Sequence, residues 1–298
     1  MPFPPDQYGG VLEALIHMKV ILFCGGMGLR LREYSEHIPK PMVNIGYRPI
    51  LWNVMKYYAY FGHKDFVLCL GYRGDVIKEY FLKYNECVSN DFVLSAGATK
   101  LDLVTTDIHD WTITFADTGT NSNIGQRLLK VRKYVAGEEM FLANYSDGLT
   151  DLRLPDQIND FVKQDAIGSF LCVRPNLSYH FISVGDDGKV TGIEPVRDTD
   201  VLINGGFFVF RKEIFDHIRE GEELVEQPFA RLIRQKRLIG YRHNGFWHSM
   251  DTFKDKQVLD DLHAKVNAPW EVWKREPNAE AEVPHAENVA VGALRHHA

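Results

Sequence analysis

The sequence predicts an α/β fold: a mostly parallel, mixed sheet flanked by helices, with a small antiparallel appendage. Three observations predict it. Continuous apolar runs such as VILF at 20–23 and FVLCL at 66–70 lack the alternation of a half-solvated strand, and read as strands buried on both faces. Helix-length stretches separate these runs, which is the pattern of βαβ units. One segment, Phe181–Glu194, instead places Asp187-Gly188 between β-rich flanks, a hairpin signal.

Taken in order, residues 1–17 form an N-terminal extension that starts Pro-rich and precedes a second methionine, Met18. A buried strand follows directly and runs into a glycine-rich loop. Pro49 opens an amphipathic helix, PILWNVMKYYAYFG, that Gly62 ends; Phe66–Leu70 is the second buried strand and Gly74–Tyr84 a second helix. Further strands are expected at Trp111–Ala116, Met140–Ala143, Gly168–Val173 and Leu202–Phe210, with helices at Gln126–Val135, Pro155–Gln164 and Glu226–Gln235. The folded unit is expected to span 18–274. Residues 275–298, rich in Glu, Ala, Pro and His without periodicity, are expected to be disordered.

Composition narrows the function classes. With 34 Lys+Arg against 40 Asp+Glu in 298 residues, the net charge is −6, and no basic run supplies a nucleic-acid footprint. No apolar run approaches the roughly 20 residues of a membrane span, and the first cation, Lys19, comes too late for a signal peptide, so a cytoplasmic location without membrane contact is expected. The four cysteines contain no C-x-x-C pair and are read as reduced, buried and inert. The histidines show no metal-ligand spacing, and His248 reads as packing or solvated rather than as a zinc ligand.

Chemistry concentrates in a few places. The first strand delivers Cys24 into Gly25-Gly26-Met27-Gly28-Leu29-Arg30, where glycines let backbone N–H groups converge on a phosphate. Alone, this loop is equally a tight turn. It is neither a Walker A loop nor a dinucleotide fingerprint, because no Gly-Lys-Ser/Thr follows and the third glycine position is Leu31. Ten residues after Arg30, prolines on both sides of Lys40 hold it in extended backbone, so its ammonium can be aimed; a solvated surface lysine is the plain alternative.

Together the glycine loop, Arg30 and Lys40-Pro41-Met42 resemble the opening signature of the sugar-1-phosphate nucleotidyltransferases, G-G-x-G-T-R-L followed by K-P-M. The resemblance runs over about residues 18–273 and is nearest the glucose-1-phosphate cytidylyltransferase branch. It is carried by residues 40–81, Asp117-Thr118-Gly119, Tyr145-Ser146-Asp147-Gly148, Ile203-Asn204-Gly205-Gly206, Gly245-Phe246-Trp247, Met250-Asp251-Thr252 and Ala268-Pro269-Trp270. It implies a Rossmann-like nucleotidyltransferase fold, a homo-oligomer, and Mg²⁺-dependent transfer of a nucleotidyl group from a nucleoside triphosphate, CTP by preference, to a sugar phosphate. In that scheme Arg30 and Lys40 face the triphosphate, and Asp147 and Asp251 hold the metal. Cys24, Gly25, Gly26, Gly28, Thr118, Gly119 and Asp147 line the nucleotide, and Asn204 and Gly205 meet the sugar.

Each assignment has a plainer counterpart. Asp147-Gly148 is a common turn pair, and Asp251 could cap the helix after it, although Thr252 can take that duty and free the aspartate. In the resemblance, Asp117-Thr118-Gly119 and Asn121 to Gly125 correspond to a segment near the nucleotide base, with Arg127 starting a helix after it, yet Asn, Ser, Thr and Gly are ordinary loop residues. Three departures from the family pattern also stand out. Ile193-Glu194-Pro195 lacks the lysine expected between Glu and Pro, Leu29 replaces a threonine, and Gln227 replaces a glutamate before Pro228. A lost charge-assisted hydrogen bond costs roughly 1.5–3 kcal/mol, enough to alter substrate choice without abolishing chemistry. Arg197 is the nearest downstream cation that could grip the acceptor phosphate, with Gln227 expected to bind the sugar phosphate in a cavity beside Pro195. A different phosphorylated acceptor, or a non-catalytic nucleotide-sugar-binding module, therefore remains open at this level.

Overall fold

The computed structural model describes residues 17–26, 38–175, 179–265 and 268–275. Nearly all of the expected N-terminal extension and C-terminal tail, together with Gly28, Arg30 and the side chain of Arg197, lie outside the described residues.

The chain begins with β1 (Val20–Phe23), a short β2–β3 pair (Asn44–Ile45, Arg48–Pro49) and α1 (Ile50–Tyr60). Next come β4 (Asp65–Leu70), α2 (Gly74–Leu82), α3 (Glu86–Ser89), the hairpin β5–β6 (Phe92–Ser95, Lys100–Leu103) and β7 (Thr112–Asp117). After α4 (Ile124–Val131) lie β8 (Met140–Tyr145), β9 (Gly148–Thr150), α5 (Leu154–Lys163) and β10 (Gly168–Val173). The last part holds β11 (His180–Val184), β12 (Val190–Pro195), β13 (Ile203–Asn204), β14 (Phe208–Arg211), α6 (Gln227–Arg234), β15 (Leu238–Arg242), β16 (Trp247–Ser249) and α7 (Phe253–Ala264).

The main sheet has β8, β1, β4 and β7 side by side and parallel. β14 adds antiparallel to β8, β10 antiparallel to β14, and β15 parallel to β10. Both faces are covered, which is why the strands carry uninterrupted apolar runs. Val20, Leu22, Phe66 and Leu68 pack on the α1 side with Leu51, Tyr58, Phe161 and Trp270. Ile21, Phe23, Val67 and Cys69 face Leu128 of α4 and Phe229 of α6. Burying each such side chain contributes about 1.5–3 kcal/mol. The hairpin expected around Asp187-Gly188 is present as β11–β12, and Gly188 adopts a φ of +78°.

Four expectations need correction. α1 is buried nearly all round rather than amphipathic, because the 268–274 segment covers its outer side: Trp270 Nε1 donates to Asn53 Oδ1 and Trp273 packs edge-on against Trp52. The strand expected over Leu202–Phe210 is two strands. Gly205, Gly206 and Phe207 interrupt it, with positive φ at Gly206 (+77°) and Phe207 (+50°). Cys87 is exposed on α3 and Cys172 half-buried, because neither α3 nor the end of β10 is covered as the central strands are. Finally, Lys40 is not extended but opens a 3₁₀ turn, Lys40–Met42, since Pro41 fits the first turn of a helix as readily as extended chain.

Candidate active site

The carboxyl ends of β1 and β8 define the floor of the site. Asp147 lies in the turn between β8 and β9, and the preceding Ser146 anchors that turn by donating from Oγ to the Phe23 carbonyl at 2.8 Å. Asp251 arrives on the ribbon after β16. This strand pairs antiparallel with β9, and the Met250 amide donates to the Asp147 carbonyl at 2.9 Å. As expected, Thr252 caps α7: its Oγ1 accepts from the Asp255 amide in a capping box, which leaves the Asp251 carboxylate to the site. Ser249 Oγ donates to Asp251 Oδ2 at 2.7 Å and orients it.

Lys40 joins the two aspartates. Its ammonium sits 2.5 Å from Asp147 Oδ2 and 2.8 Å from Asp251 Oδ1, a partner 211 residues away. Burial works against its charge, but the two carboxylates outweigh burial and hold its pKa above the ordinary lysine value. Three groups carried by separate elements therefore converge on one point. Among the described residues no cluster of three or more His, Cys, Asp or Glu forms a preassembled metal cage. Two convergent carboxylates without a third protein ligand suit a hard cation such as Mg²⁺, which keeps waters and takes substrate phosphate oxygens for the rest of its shell.

The glycine loop begins as expected, but its first residue has a structural duty. Gly25 O accepts from Arg127 Nη2 at 3.0 Å, and a Cβ on Gly25 would fall 1.9 Å from Arg127 Nη1. Gly26 faces open space. Arg127 lies inside α4 and is buried, its guanidinium donating also to the carbonyls of Leu70 and Thr120 and to Thr118 Oγ1. It ties the start of the glycine loop to the 118–120 loop. Thr118 donates its own hydroxyl to Leu70 O at 2.7 Å, so its side chain is turned inward; Gly119, with φ +82°, is the half-buried residue of that loop. Burial pushes the Cys24 thiol up to about 12, which keeps it protonated and unreactive beneath the site.

A cleft of about 890 Å³ opens from the aspartates along β13 and β16, with Asp147, Asn204, Gly205, Trp247, Ser249 and Asp251 on its walls. Its neutral end is formed by Asn204, Gly205 and Trp247. Asn204 Oδ1 accepts from the Gly206 amide at 2.9 Å, and Asn204 Nδ2 lies 3.4 Å from Tyr145 Oη. Trp247 Nε1 donates to the Gly205 carbonyl at 2.9 Å. The Gly205–Phe207 break is held from below by Asn144, whose Oδ1 accepts from the Phe207 amide at 2.8 Å, and by Gln157, whose Nε2 donates to Phe207 O at 2.7 Å. A Cβ on Gly206 would come within 2.4 Å of Asn144 Oδ1, so the break needs glycine there.

One candidate, Gln227, does not line this cleft, whereas His248 does. Gln227 is exposed at the start of α6 and donates to Glu226 rather than lining the cavity. The backbone of Arg197 forms part of a 3₁₀ turn, Val196–Asp198, at the end of β12. His248 is buried on β16, and its pKa is lowered by that burial, consistent with packing. Sequence reasoning missed Asn144, Gln157 and the roles of Asp151 and His243. For Asn144 a signal existed, a polar residue inside the apolar run MFLANY.

Comparison with known proteins identifies the family. The nucleotidyl transferase family profile matches residues 19–252. The chain is 37% identical over 259 residues to the glucose-1-phosphate cytidylyltransferase of Salmonella typhi, covering 86% of this chain and all of that one. It is 36% identical to the enzyme of the same name from Salmonella typhimurium, with the same coverage. In fold, it superposes on the UTP-bound UGPase of Acinetobacter baumannii with a TM-score of 0.59 at 18% identity, over 83% of this chain and 93% of the other. The chain belongs to the nucleotidyl transferase family.

Proposed function

We propose that this protein is a Mg²⁺-dependent cytidylyltransferase that joins CTP and a sugar-1-phosphate, glucose-1-phosphate or a close relative, to give a CDP-sugar and pyrophosphate. The observation that carries this reading is the convergence of Lys40, Asp147 and Asp251 at the strand ends, in a chain 37% identical to a glucose-1-phosphate cytidylyltransferase.

The reaction brings a phosphate oxygen of the sugar onto the α-phosphorus of a triphosphate as the pyrophosphate departs. Both partners are anions, so the site must neutralise charge and fix approach. Asp147 and Asp251 would hold Mg²⁺, which when bound supplies the charge neutralisation that lets two phosphates meet. Lys40, on a turn stiffened by Pro39 and Pro41, adds a cation that reaches the triphosphate, and Arg30 follows the glycine loop as a second. Gly26 offers unobstructed backbone to phosphate, with Gly28 two residues on in the sequence, while Gly119 on its loop faces the base. Asn204 and Gly205 meet the sugar hydroxyls at the neutral end, and Trp247 lines that end beside them. Arg197 is the cation assigned to the acceptor phosphate.

Pro195 gives reason to keep a second acceptor in view. It occupies the place of the family's phosphate-gripping lysine and has neither a charge nor an N–H to offer. Pyrophosphate release should be measured with four nucleoside triphosphates against a panel of sugar phosphates. Turnover with CTP and an aldose-1-phosphate is expected; tight nucleotide binding with no turnover for any pair would overturn the reading in favour of a binding module.

A further inference from the structure

Trp247, at the neutral end of the cleft, pairs with Thr150 of β9 and follows directly on a turn. Residues 243–246 link β15 to β16, and no regular structure holds them. What holds them is Asp151, immediately after β9. Its Oδ1 accepts from the Phe246 amide at 2.7 Å and from His243 Nε2 at 2.9 Å. An ionised carboxylate only accepts, so Nε2 carries the proton in either charge state of the imidazole. The Asp151 amide donates back to Phe246 O at 3.1 Å, and Thr150 Oγ1 donates to the same carbonyl at 2.8 Å. A Cβ on Gly245 would fall 2.4 Å from Asp151 Oδ1, so the chain passes too close for any other residue. His243 is anchored in turn through its amide to Cys172 O at 3.0 Å on β10.

The pair is largely shielded, with 13% and 24% of the His243 and Asp151 side chains exposed. Burial raises the carboxyl's pKa, but His243 and the Phe246 amide overcome it and keep Asp151 below the usual aspartate range. Asp151 lies outside the wall of the reacting cleft, and so does His243. Their influence passes through the next residue of the ribbon, Trp247, whose indole is fixed on the Gly205 carbonyl. Asp251, four residues further, has separate supports in Ser249 and in the Met250 contact to Asp147.

We propose that Asp151 and His243 are positioning residues for the acceptor: they staple the 243–246 turn and thereby set the Trp247 wall beside Asn204 and Gly205, without serving the triphosphate or the metal. This rests on the reading of function above. It differs from a general stabilising role because it predicts damage to one substrate only.

The test compares Asp151→Ala, Asp151→Asn and His243→Gln in the full-length protein. Asp151→Ala should raise the acceptor KM about tenfold or more while the CTP KM stays within about twofold. Asp151→Asn keeps an oxygen for both donors, and His243→Gln keeps an amide donor, so both should recover most of the loss. Hydrogen exchange over residues 243–249 should accelerate in Asp151→Ala and not in Asp151→Asn. An acceptor KM within about twofold of wild type in Asp151→Ala, or equal rises in both KM values, overturns the proposal. Should wild type itself release no pyrophosphate, the reading of function falls. The staple is then judged on exchange alone, and unchanged exchange in Asp151→Ala overturns it too.

Discussion

The two ends of the cleft are built from opposite materials. At the aspartate end three charged groups, Lys40, Asp147 and Asp251, crowd within hydrogen-bond distance on the ends of strands and a proline-stiffened turn. At the other end Asn204, Gly205 and Trp247 are neutral, and their mutual contacts run through backbone carbonyls and amides. The function proposed above accounts for the difference. Two phosphates can be brought together only where charge is neutralised, a demand that does not depend on which sugar is attached. Choosing a sugar instead requires hydroxyls to find partners at fixed points, where a misplaced neutral group costs binding without disturbing the reaction. One end should therefore fail in turnover when altered, and the other in acceptor recognition.

The largest effect is expected at the charged end. Asp251→Asn keeps volume and removes charge, and should lower kcat by roughly 100-fold or more, equivalent to about 2.7 kcal/mol of barrier, while the unfolding midpoint moves little. Near-normal turnover at limiting Mg²⁺ would break the contrast at its base. Lys40→Met should act with two signs. CTP binding should weaken by about tenfold and become less salt-dependent, as expected when one of its charged contacts disappears. Mn²⁺ binding without nucleotide, followed by electron paramagnetic resonance, should strengthen, because the ammonium no longer contacts the two carboxylates. Weaker metal binding in this variant would show that Lys40 assembles the aspartates instead of competing for them.

Smaller effects belong to the neutral end. Asn204→Ala removes the acceptor of the Gly206 amide and should raise the sugar-phosphate KM by roughly 5- to 20-fold, with the CTP KM unchanged, a split that steady-state kinetics resolves. An equal rise in both KM values would merge the two ends into one site. The smallest effect is expected for Gln227→Ala. An exposed side chain bonded to its neighbour Glu226 should leave both KM values within about twofold of wild type. A large change in acceptor KM would bring α6 into the site and enlarge the neutral end.

This same division governed what could be read from the residues in order. The parallel strands were legible because burial on both faces writes uninterrupted apolar runs, and Gly168–Val173 falls where expected to the residue. The charged end was legible because its chemistry needs particular residue types in short local patterns. Even the division of labour between Asp251 and Thr252 followed from capping preferences.

At the neutral end Asn204 and Gly205 were legible as residues, but their geometry was not, because it depends on contacts remote in sequence. The break in the expected Leu202–Phe210 strand is set by Asn144 and Gln157, each at least 50 residues away. Asp151 meets His243 across 92 residues. Arg127 illustrates the same limit beneath the glycine loop. An arginine in the first turns of a helix carries no local sign that its guanidinium will be buried against the carbonyls of Gly25, Leu70 and Thr120. Glycines were half legible: Gly25 is needed, but to admit Arg127 beneath the loop rather than only a phosphate above it.

The central claim is that Lys40, Asp147 and Asp251 form a working nucleotidyl-transfer centre, and phosphorus NMR of one mixture tests it most directly. Wild-type protein, CTP, glucose-1-phosphate and Mg²⁺ should yield pyrophosphate and a CDP-sugar in equal amounts, and Asp147→Asn under the same conditions should leave both substrates intact. Equal conversion by wild type and Asp147→Asn, or no conversion of CTP by wild type with any sugar-1-phosphate, would contradict the account.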